Sequence, residues 1–214
     1  NSLSASSLAG QTAFVFSLFY GAFVFGLTVL AAQYWGKGDK KTAEEVLAIT
    51  MRYSLLVGLV FTLATALIPT QIMRFFTSDD VLIEAGAKYL RMVSLSFLLT
   101  GFTQTYFGMM KVCGRAKLSS LIGSLSVLIN IFLNAMLIFG IGIFPKMNIE
   151  GAALATVLAR VFETVMIAIA VLGRLCPSFN PRLMLRSDNK ELHMDYWRYT
   201  VPLLINQIDR KSVV

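Results

Sequence analysis

The sequence predicts an all-α, polytopic transmembrane helix bundle. Hydrophobic residues occupy 56% of the 214 positions and charged residues only 14%, and the mean hydropathy is +0.69, which fits no soluble globular class. A helix that crosses a bilayer needs about 20 largely apolar residues. Runs of this kind span residues 10–34, 47–75, 90–110, 118–144 and 152–172. Strands of a membrane barrel would be shorter and would alternate in polarity, so the runs indicate helices.

The composition also excludes several function classes. A chain this apolar would not stay disordered in water, and two cysteines cannot form a secreted disulfide framework. The net charge of +7 could suggest a nucleic-acid binder, but the Lys and Arg residues of a helical membrane protein more often mark its cytoplasmic loops. We therefore expect membrane lipid as a partner and no nucleic acid.

Polar and glycine-rich segments separate the runs and predict turns between antiparallel neighbouring helices. These segments lie at residues 36–41, 77–80, 113–115 and 140–146. Asp39 or Thr42, and Ser78 or Asp79, are typical of helix starts, where a side-chain oxygen accepts from a free backbone N–H. Pro69 lies late in the second run and predicts a kink or a helix end there.

The distribution of Lys and Arg predicts the orientation in the membrane. If the runs cross alternately, one face receives eleven cations and the other four. The first set is Lys37, Lys40, Lys41, Lys111, Arg115, Lys117, Arg174, Arg182, Arg186, Lys190 and Arg198, and the second is Arg74, Lys88, Arg91 and Lys146. The positive-inside rule makes the first face cytoplasmic. Residue 1 then lies outside the cell membrane. Its translocation would need a preceding signal, so we expect a further helix before it. Cys113 and Cys176 fall on the reducing side and are expected to be free thiols.

Residues 173–214 divide into three predicted parts after a bundle at residues 1–172. Residues 173–198 are predicted to be a cytoplasmic connector with a helix start at Ser187 and Asp188, leading to Trp197 and Tyr199 at the headgroups. Residues 199–208 begin a sixth apolar run. Residues 209–214 replace that run abruptly and can be back-translated into a common sequencing-adapter stretch, so we expect a non-native tail. The alternative is a genuine basic tail.

Two runs carry polar side chains at helical spacing. On the third run these are Ser96, Thr100, Gln104 and Gly108, and on the fourth they are Ser126, Asn130 and Asn134. Each set follows an i, i+4 pattern and therefore lies on one face of its helix. An unpaired amide in hydrocarbon costs several kcal/mol, so these faces should contact protein or a water-filled cavity. Two interpretations stay open, helix–helix hydrogen bonding and cavity lining.

The last complete run combines small and charged residues. Gly151, Ala155 and Ala159 form a small-xxx-small ridge that allows close approach of a neighbouring helix. Arg160 and Glu163 are ionisable residues inside a predicted span, and their i, i+3 spacing brings the side chains together. A structural ion pair and a place on an interior pathway are the two interpretations.

The sequence indicates no enzyme and no metal or organic cofactor. His193 lies in the basic connector without Cys or carboxylate partners at ligand spacing, which favours a surface side chain over a metal ligand. The G-x-S-x-G and H-E-x-x-H patterns and a phosphate-binding glycine loop are absent from the sequence. Intramembrane catalysis would have to depend on Arg160 and Glu163, which makes it the less favoured alternative.

Several segments in order resemble the multidrug and toxic compound extrusion (MATE) family. Residues 10–39, with Gln33, Gly36, Gly38 and Asp39 at their end, are similar to the second helix and first cytoplasmic loop of the family. Residues 108–117, which include Gly114, resemble the loop between its fourth and fifth helices. Residues 130–140 resemble the fifth helix, and residues 151–156 with the following Arg160 and Glu163 resemble the sixth. The order and spacing of these segments carry the resemblance.

The resemblance implies a twelve-helix antiporter of two six-helix lobes that exchanges Na⁺ or H⁺ for amphipathic, often cationic, small molecules. This chain would hold helices two to six of the first lobe and the start of helix seven, and the second lobe would be its partner. The residues that we assign to a substrate or ion pathway are Gln104, Asn130, Asn134, Arg160 and Glu163. The family's cation-binding carboxylate on the first helix has no counterpart here. A lipid-linked oligosaccharide flippase of the same broad superfamily is the alternative.

Overall fold

The structure is a computed structural model that describes residues 2–140, 147–173 and 189–212, together with Leu183. Within these residues it contains seven helices and no strand. The helices are α1 (Ser2–Gly36), α2 (Lys40–Leu67), α3 (Pro69–Phe76), α4 (Asp80–Val112), α5 (Ala116–Phe139), α6 (Asn148–Leu172) and α7 (Lys190–Ser212). The all-α prediction is therefore confirmed.

In the described part of the chain, four helices are long and apolar enough to cross a membrane. They are Ser6–Gly36, Lys40–Leu67, Ala116–Ile138 and Asn148–Leu172. The predicted third span, residues 90–110, lies in α4, which has 33 residues and is long enough but is not among these four. The Ser, Thr and Gln side chains of its polar face explain this difference.

Proline and capping residues set several helix boundaries. The second apolar run is not one helix, because α2 ends at Leu67 and α3 begins with Pro69 at its first position. Proline lacks a backbone N–H and favours the first turn of a helix. Helix α7 begins at Lys190, nine residues before the predicted sixth run, and Asn189 Oδ1 accepts from the Leu192 amide at 3.3 Å. The predicted helix start at residues 187–188 lies outside the described residues.

Two aspartates begin helices as predicted. Asp39 Oδ1 accepts from the Thr42 amide at 3.1 Å, and its Oδ2 accepts from the Thr42 hydroxyl at 2.6 Å. Asp79 Oδ1 accepts from the Val81 amide at 2.9 Å. The hydrogen bond from the Thr42 hydroxyl, and then the one from its amide, hold the pKa of Asp39 below its ordinary value of 3.8. The carboxylate form is therefore the form that caps α2.

The chain divides into two compact units whose boundaries fall inside helices α1, α2, α4, α5 and α6. Unit 1 comprises residues 1–16, 58–100 and 122–165, and unit 2 comprises residues 17–57, 101–121 and 166–214. The division of the sequence into a bundle, a connector, a second-lobe start and a tail stays a prediction.

Unit 1 has an aromatic core and an apolar cluster. The rings of Phe16 and Phe61 have centroids 5.1 Å apart, and those of Phe16 and Phe97 are 5.3 Å apart with an edge-to-face geometry. A separate cluster of buried side chains comprises Ala9, Met73, Ile83, Ala87 and Leu90. These contacts hold α3 against α1 and α4.

Unit 2 places the start of α7 against α1 and α2. The Tyr196 hydroxyl donates to the carbonyl of Phe23 at 3.1 Å, and the Tyr196 ring stacks on Tyr53 with centroids 6.1 Å apart. The Trp197 ring lies edge-on to Tyr53, with centroids 4.9 Å apart. His193 is half-buried and its Nδ1 lies 3.3 Å from the Tyr53 hydroxyl. The predicted surface position of His193 therefore holds only in part, because this aromatic cluster packs against the helix that carries it.

Candidate functional site

An ion pair with a buried carboxylate lies within α6. Arg160 Nη1 donates to Glu163 Oε2 at 2.7 Å. The Glu163 side chain is 3% exposed, whereas that of Arg160 is 33% exposed. The guanidinium therefore neutralises a buried carboxylate and remains partly accessible itself. This geometry matches the spacing argument, in which residues three apart on a helix meet on one face.

The polar face of α5 makes two different kinds of contact. Ser126 Oγ donates to the carbonyl of Ala159 on α6 at 3.2 Å and joins the two helices. Asn134 Nδ2 donates to Asn130 Oδ1 at 3.0 Å, one turn earlier on the same helix. The serine thus bridges helices, and the two asparagines bond to each other.

A small cavity of about 120 Å³ lies between α5 and α6. Its lining residues are Ser126, Val127 and Asn130 of α5 and Thr156, Ala159 and Arg160 of α6. The structure therefore brings Asn130 and Arg160 to one cavity. Asn134 and Glu163 do not line this cavity, but they bond to Asn130 and Arg160 respectively. Polar walls and this volume suit a few water molecules or a small ion.

The small residues of α6 allow α5 to approach closely. Gly151, Ala155 and Ala159 are all buried. A Cβ added at Gly151 would lie 2.8 Å from the carbonyl carbon and oxygen of Leu137. This close approach fixes α5 beside α6 and positions both walls of the cavity.

The polar face of α4 is divided between the two units. Ser96 belongs to unit 1 and its hydroxyl donates to the carbonyl of Val93 at 2.6 Å, so it bonds back to its own helix. Gln104 belongs to unit 2 and is half-buried. The neighbouring Thr105 was not predicted as a contact residue, and its hydroxyl donates to Ser54 Oγ of α2 at 3.1 Å. Thr156 was not predicted as a cavity residue either, although it lies one turn before Arg160 and shares its helix face.

The remaining motif residues form turns and lie at the surface. Gln33 and Gly36 are exposed at the end of α1. Gly38 and Gly114 adopt positive φ angles of 81° and 74°, which glycine reaches without the steric cost of a Cβ. These positions and the Asp39 cap shape the two turns that join α1 to α2 and α4 to α5. Across the described residues, no group of three or more His, Cys, Asp or Glu side chains is arranged to hold a metal ion.

Comparisons with known proteins agree with this architecture. The MatE family model matches residues 1–136. The chain is 28% identical over 188 residues to the probable multidrug resistance protein YoeA of Bacillus subtilis, covering 86% of this chain and 40% of that protein. It is 27% identical over 159 residues to the probable multidrug resistance protein NorM of Thermotoga maritima, covering 74% of this chain and 34% of that protein.

A solved structure shows the same fold. The crystal structure of a MATE protein in the bent conformation superimposes with a TM-score of 0.85 at 22% sequence identity, covering 97% of this chain and 45% of that one. The chain thus spans less than half the length of the relatives that it matches. The family model covers well over half of this chain, and the fold agrees with it. The chain therefore belongs to the MatE family, whose members are membrane transporters and not enzymes.

Proposed function

We propose that this chain forms part of a secondary active antiporter that exports amphipathic or cationic compounds in exchange for Na⁺ or H⁺. The membrane-spanning helices and the MatE match support a transporter, and the names of the relatives support multidrug export. Because the chain spans less than half of those relatives, we place the rest of the pathway in a second lobe of the same protein. The proposed location is the cell membrane of a bacterium.

The observation that carries this proposal is the Arg160–Glu163 pair, whose carboxylate is buried, beside the cavity between α5 and α6. Ionisable residues inside a span are costly and usually face an interior pathway or each other. Here the two side chains face each other, and Arg160 also lines the cavity, which supports a place on the pathway. A cation that enters the cavity would compete with Arg160 for the Glu163 carboxylate.

The other pathway residues take supporting roles in the proposal. Asn130 lines the cavity and offers an amide that can orient water or an ion. Asn134 fixes the orientation of Asn130 through the hydrogen bond between their side chains. Gln104 is proposed to line a separate stretch of the pathway in unit 2.

The test is gradient-driven efflux from proteoliposomes that contain the protein encoded by the full reading frame to which this chain belongs. A fluorescent amphipathic cation is loaded, and a Na⁺ gradient or a proton gradient is imposed separately. We expect efflux with one of the gradients, which identifies the coupling ion. Glu163→Gln should slow efflux by at least about tenfold while the helical content is retained, because the amide cannot exchange protons or hold a cation as a carboxylate does.

The matched control is Glu191→Gln, which removes an exposed carboxylate at the start of α7 and should leave efflux unchanged. Efflux at the same rate with and without a gradient would contradict the antiport mechanism. Wild-type efflux in Glu163→Gln would remove this residue from the pathway. Absence of dye efflux together with movement of a lipid-linked oligosaccharide would favour the flippase alternative.

A further inference from the structure

The turn between α1 and α2 carries exposed cations beside two aromatic rings. Lys40 Nζ lies 5.5 Å from the centroid of the Trp35 ring, and Lys37 Nζ lies 6.0 Å from that of Tyr34. Both rings are half-buried, whereas Lys37, Lys40 and the neighbouring Lys41 are exposed. An ammonium at this distance from an aromatic face is attracted to it. Each ammonium group therefore lies beside a ring in a position that this attraction favours.

A second turn of the same unit adds more positive charge. The turn between α4 and α5 carries the exposed residues Lys111, Arg115 and Lys117. Gly108 of α4 packs closely against Leu27 and Thr28 of α1. From this contact α4 continues for four residues and α1 for eight, about 6 Å and 12 Å of helix. Since the predicted topology directs both helices to the same face, the two turns emerge on one side.

Few carboxylates oppose these cations. Asp39 lies in the turn, but its two oxygens accept hydrogen bonds from Thr42. Glu44 and Glu45 follow in the first turns of α2 and are half-buried. The two turns carry six cations, against Asp39 in the first turn and Glu44 and Glu45 at the start of α2, so these segments are net positive.

We propose that the basic turn, defined as Tyr34, Trp35, Lys37, Lys40 and Lys41, binds the headgroups of anionic phospholipids. Trp and Tyr side chains favour the membrane–water interface, where their rings lie at headgroup depth. Lysines held beside those rings lie at the same depth, within reach of lipid phosphates. The negative surface potential of a leaflet that contains anionic lipid attracts such juxtamembrane cations. An acidic protein could pair with the lysines, but aromatic rings at headgroup depth are typical of a lipid contact. We therefore assign anionic lipid as the occupant. This proposal does not depend on the transport activity.

The test uses Trp35 as a reporter in the purified 214-residue chain. The sequence has two tryptophans, so Trp197→Phe leaves Trp35 as the single one. The chain is reconstituted in phosphatidylcholine vesicles that contain either brominated phosphatidylglycerol or brominated phosphatidylcholine as a minor component. We expect brominated phosphatidylglycerol to quench Trp35 more strongly, and salt to reduce this preference.

Paired substitutions separate a specific lipid contact from a general charge effect. Lys37→Gln/Lys40→Gln should lower the apparent affinity for phosphatidylglycerol by about thirtyfold, and Lys37→Arg/Lys40→Arg should retain it. The matched control, Arg74→Gln/Arg91→Gln, also removes two exposed cations but belongs to unit 1, and it should change nothing. Equal quenching by both lipids, or an equal loss in the control, would overturn the proposal. If Trp197→Phe fails to fold, native mass spectrometry of the wild-type chain counts the bound phosphatidylglycerol, and a count unchanged by Lys37→Gln/Lys40→Gln would overturn it as well.

Discussion

Removing one partner of the Arg160–Glu163 pair should have unequal consequences for the two residues. Arg160→Ala leaves a carboxylate whose side chain is 3% exposed, whereas Glu163→Ala leaves a guanidinium that is 33% exposed and lines a polar cavity. The carboxylate would have lost its cationic partner inside a buried environment. The guanidinium could still donate to water in the cavity or to backbone carbonyls.

The magnitudes follow from this difference in burial. Breaking a buried ion pair by removing one partner costs about 3 to 5 kcal/mol, and Arg160→Ala should lie in that range. Glu163→Ala should cost about 1 to 3 kcal/mol, the range for leaving a polar group without its hydrogen bond. The double variant removes both charges, so we expect it to be more stable than Arg160→Ala alone.

The assay is denaturant or thermal unfolding of the purified chain in detergent micelles, analysed as a double-mutant cycle. Glu84→Ala serves as the control, because Glu84 is an exposed carboxylate of the same unit and should change stability by no more than about 0.5 kcal/mol. Two results would refute the reasoning. One is additivity of the single losses within about 0.5 kcal/mol, and the other is a larger loss in Glu163→Ala than in Arg160→Ala.

Two further predictions concern helix packing and capping. Gly151→Ala should destabilise unit 1 by about 1 to 3 kcal/mol, because its Cβ would lie 2.8 Å from backbone atoms of α5. Gly10→Ala, at a helical position where a Cβ meets nothing within 4 Å, should not destabilise the chain in the same unfolding assay. Asp39→Ala should increase amide hydrogen exchange at the start of α2 at neutral pH, because it removes the carboxylate that accepts from Thr42. Since the folded pKa of Asp39 is lowered, the difference from wild type should persist above about pH 4 and shrink as the pH falls through the folded pKa. A difference that grew on acidification would contradict the cap.

Most of the helices could be predicted from the sequence because their limits are set locally. The length of each apolar run predicts a span, and Asp39 and Asp79 cap their helices through residues two or three positions away. Pro69 likewise divides the second run because its ring removes the backbone N–H that a continuous helix would need. Such features need no knowledge of which helix lies beside which.

The start of α7 shows where local reasoning fails. Its first turns are polar, and the apolar run begins only near Tyr199. Leu192 and Tyr196 are nevertheless buried, and the aromatic cluster with Tyr53 holds them. These contacts join residues 140 or more positions apart, so they leave no pattern within one segment. For the same reason the contact of His193 with Tyr53 could not be predicted.

The candidate site was predictable within helices and not between them. The spacing of Arg160 and Glu163 predicts side chains that meet on one helix, and the structure has that contact. The spacing of Asn130 and Asn134 predicts only a shared face, and their hydrogen bond to each other was not predicted. The hydrogen bond from Ser126 to the carbonyl of Ala159 joins two helices. Its existence depends on the rotation of each helix about its axis, which the polar pattern leaves open.

The small ridge of α6 explains why a charged pair can persist next to a cavity inside a membrane. Gly151 brings α6 against the backbone of α5 at one end of the ridge, and the Ser126–Ala159 hydrogen bond joins the helices again two turns later. Between these contacts α5 and α6 pack closely, as small residues allow. The larger Arg160 follows immediately, and the cavity that Asn130 also lines lies beside it. Arg160 and Asn130 thus face a polar cavity, where water or an ion can satisfy their hydrogen-bonding groups.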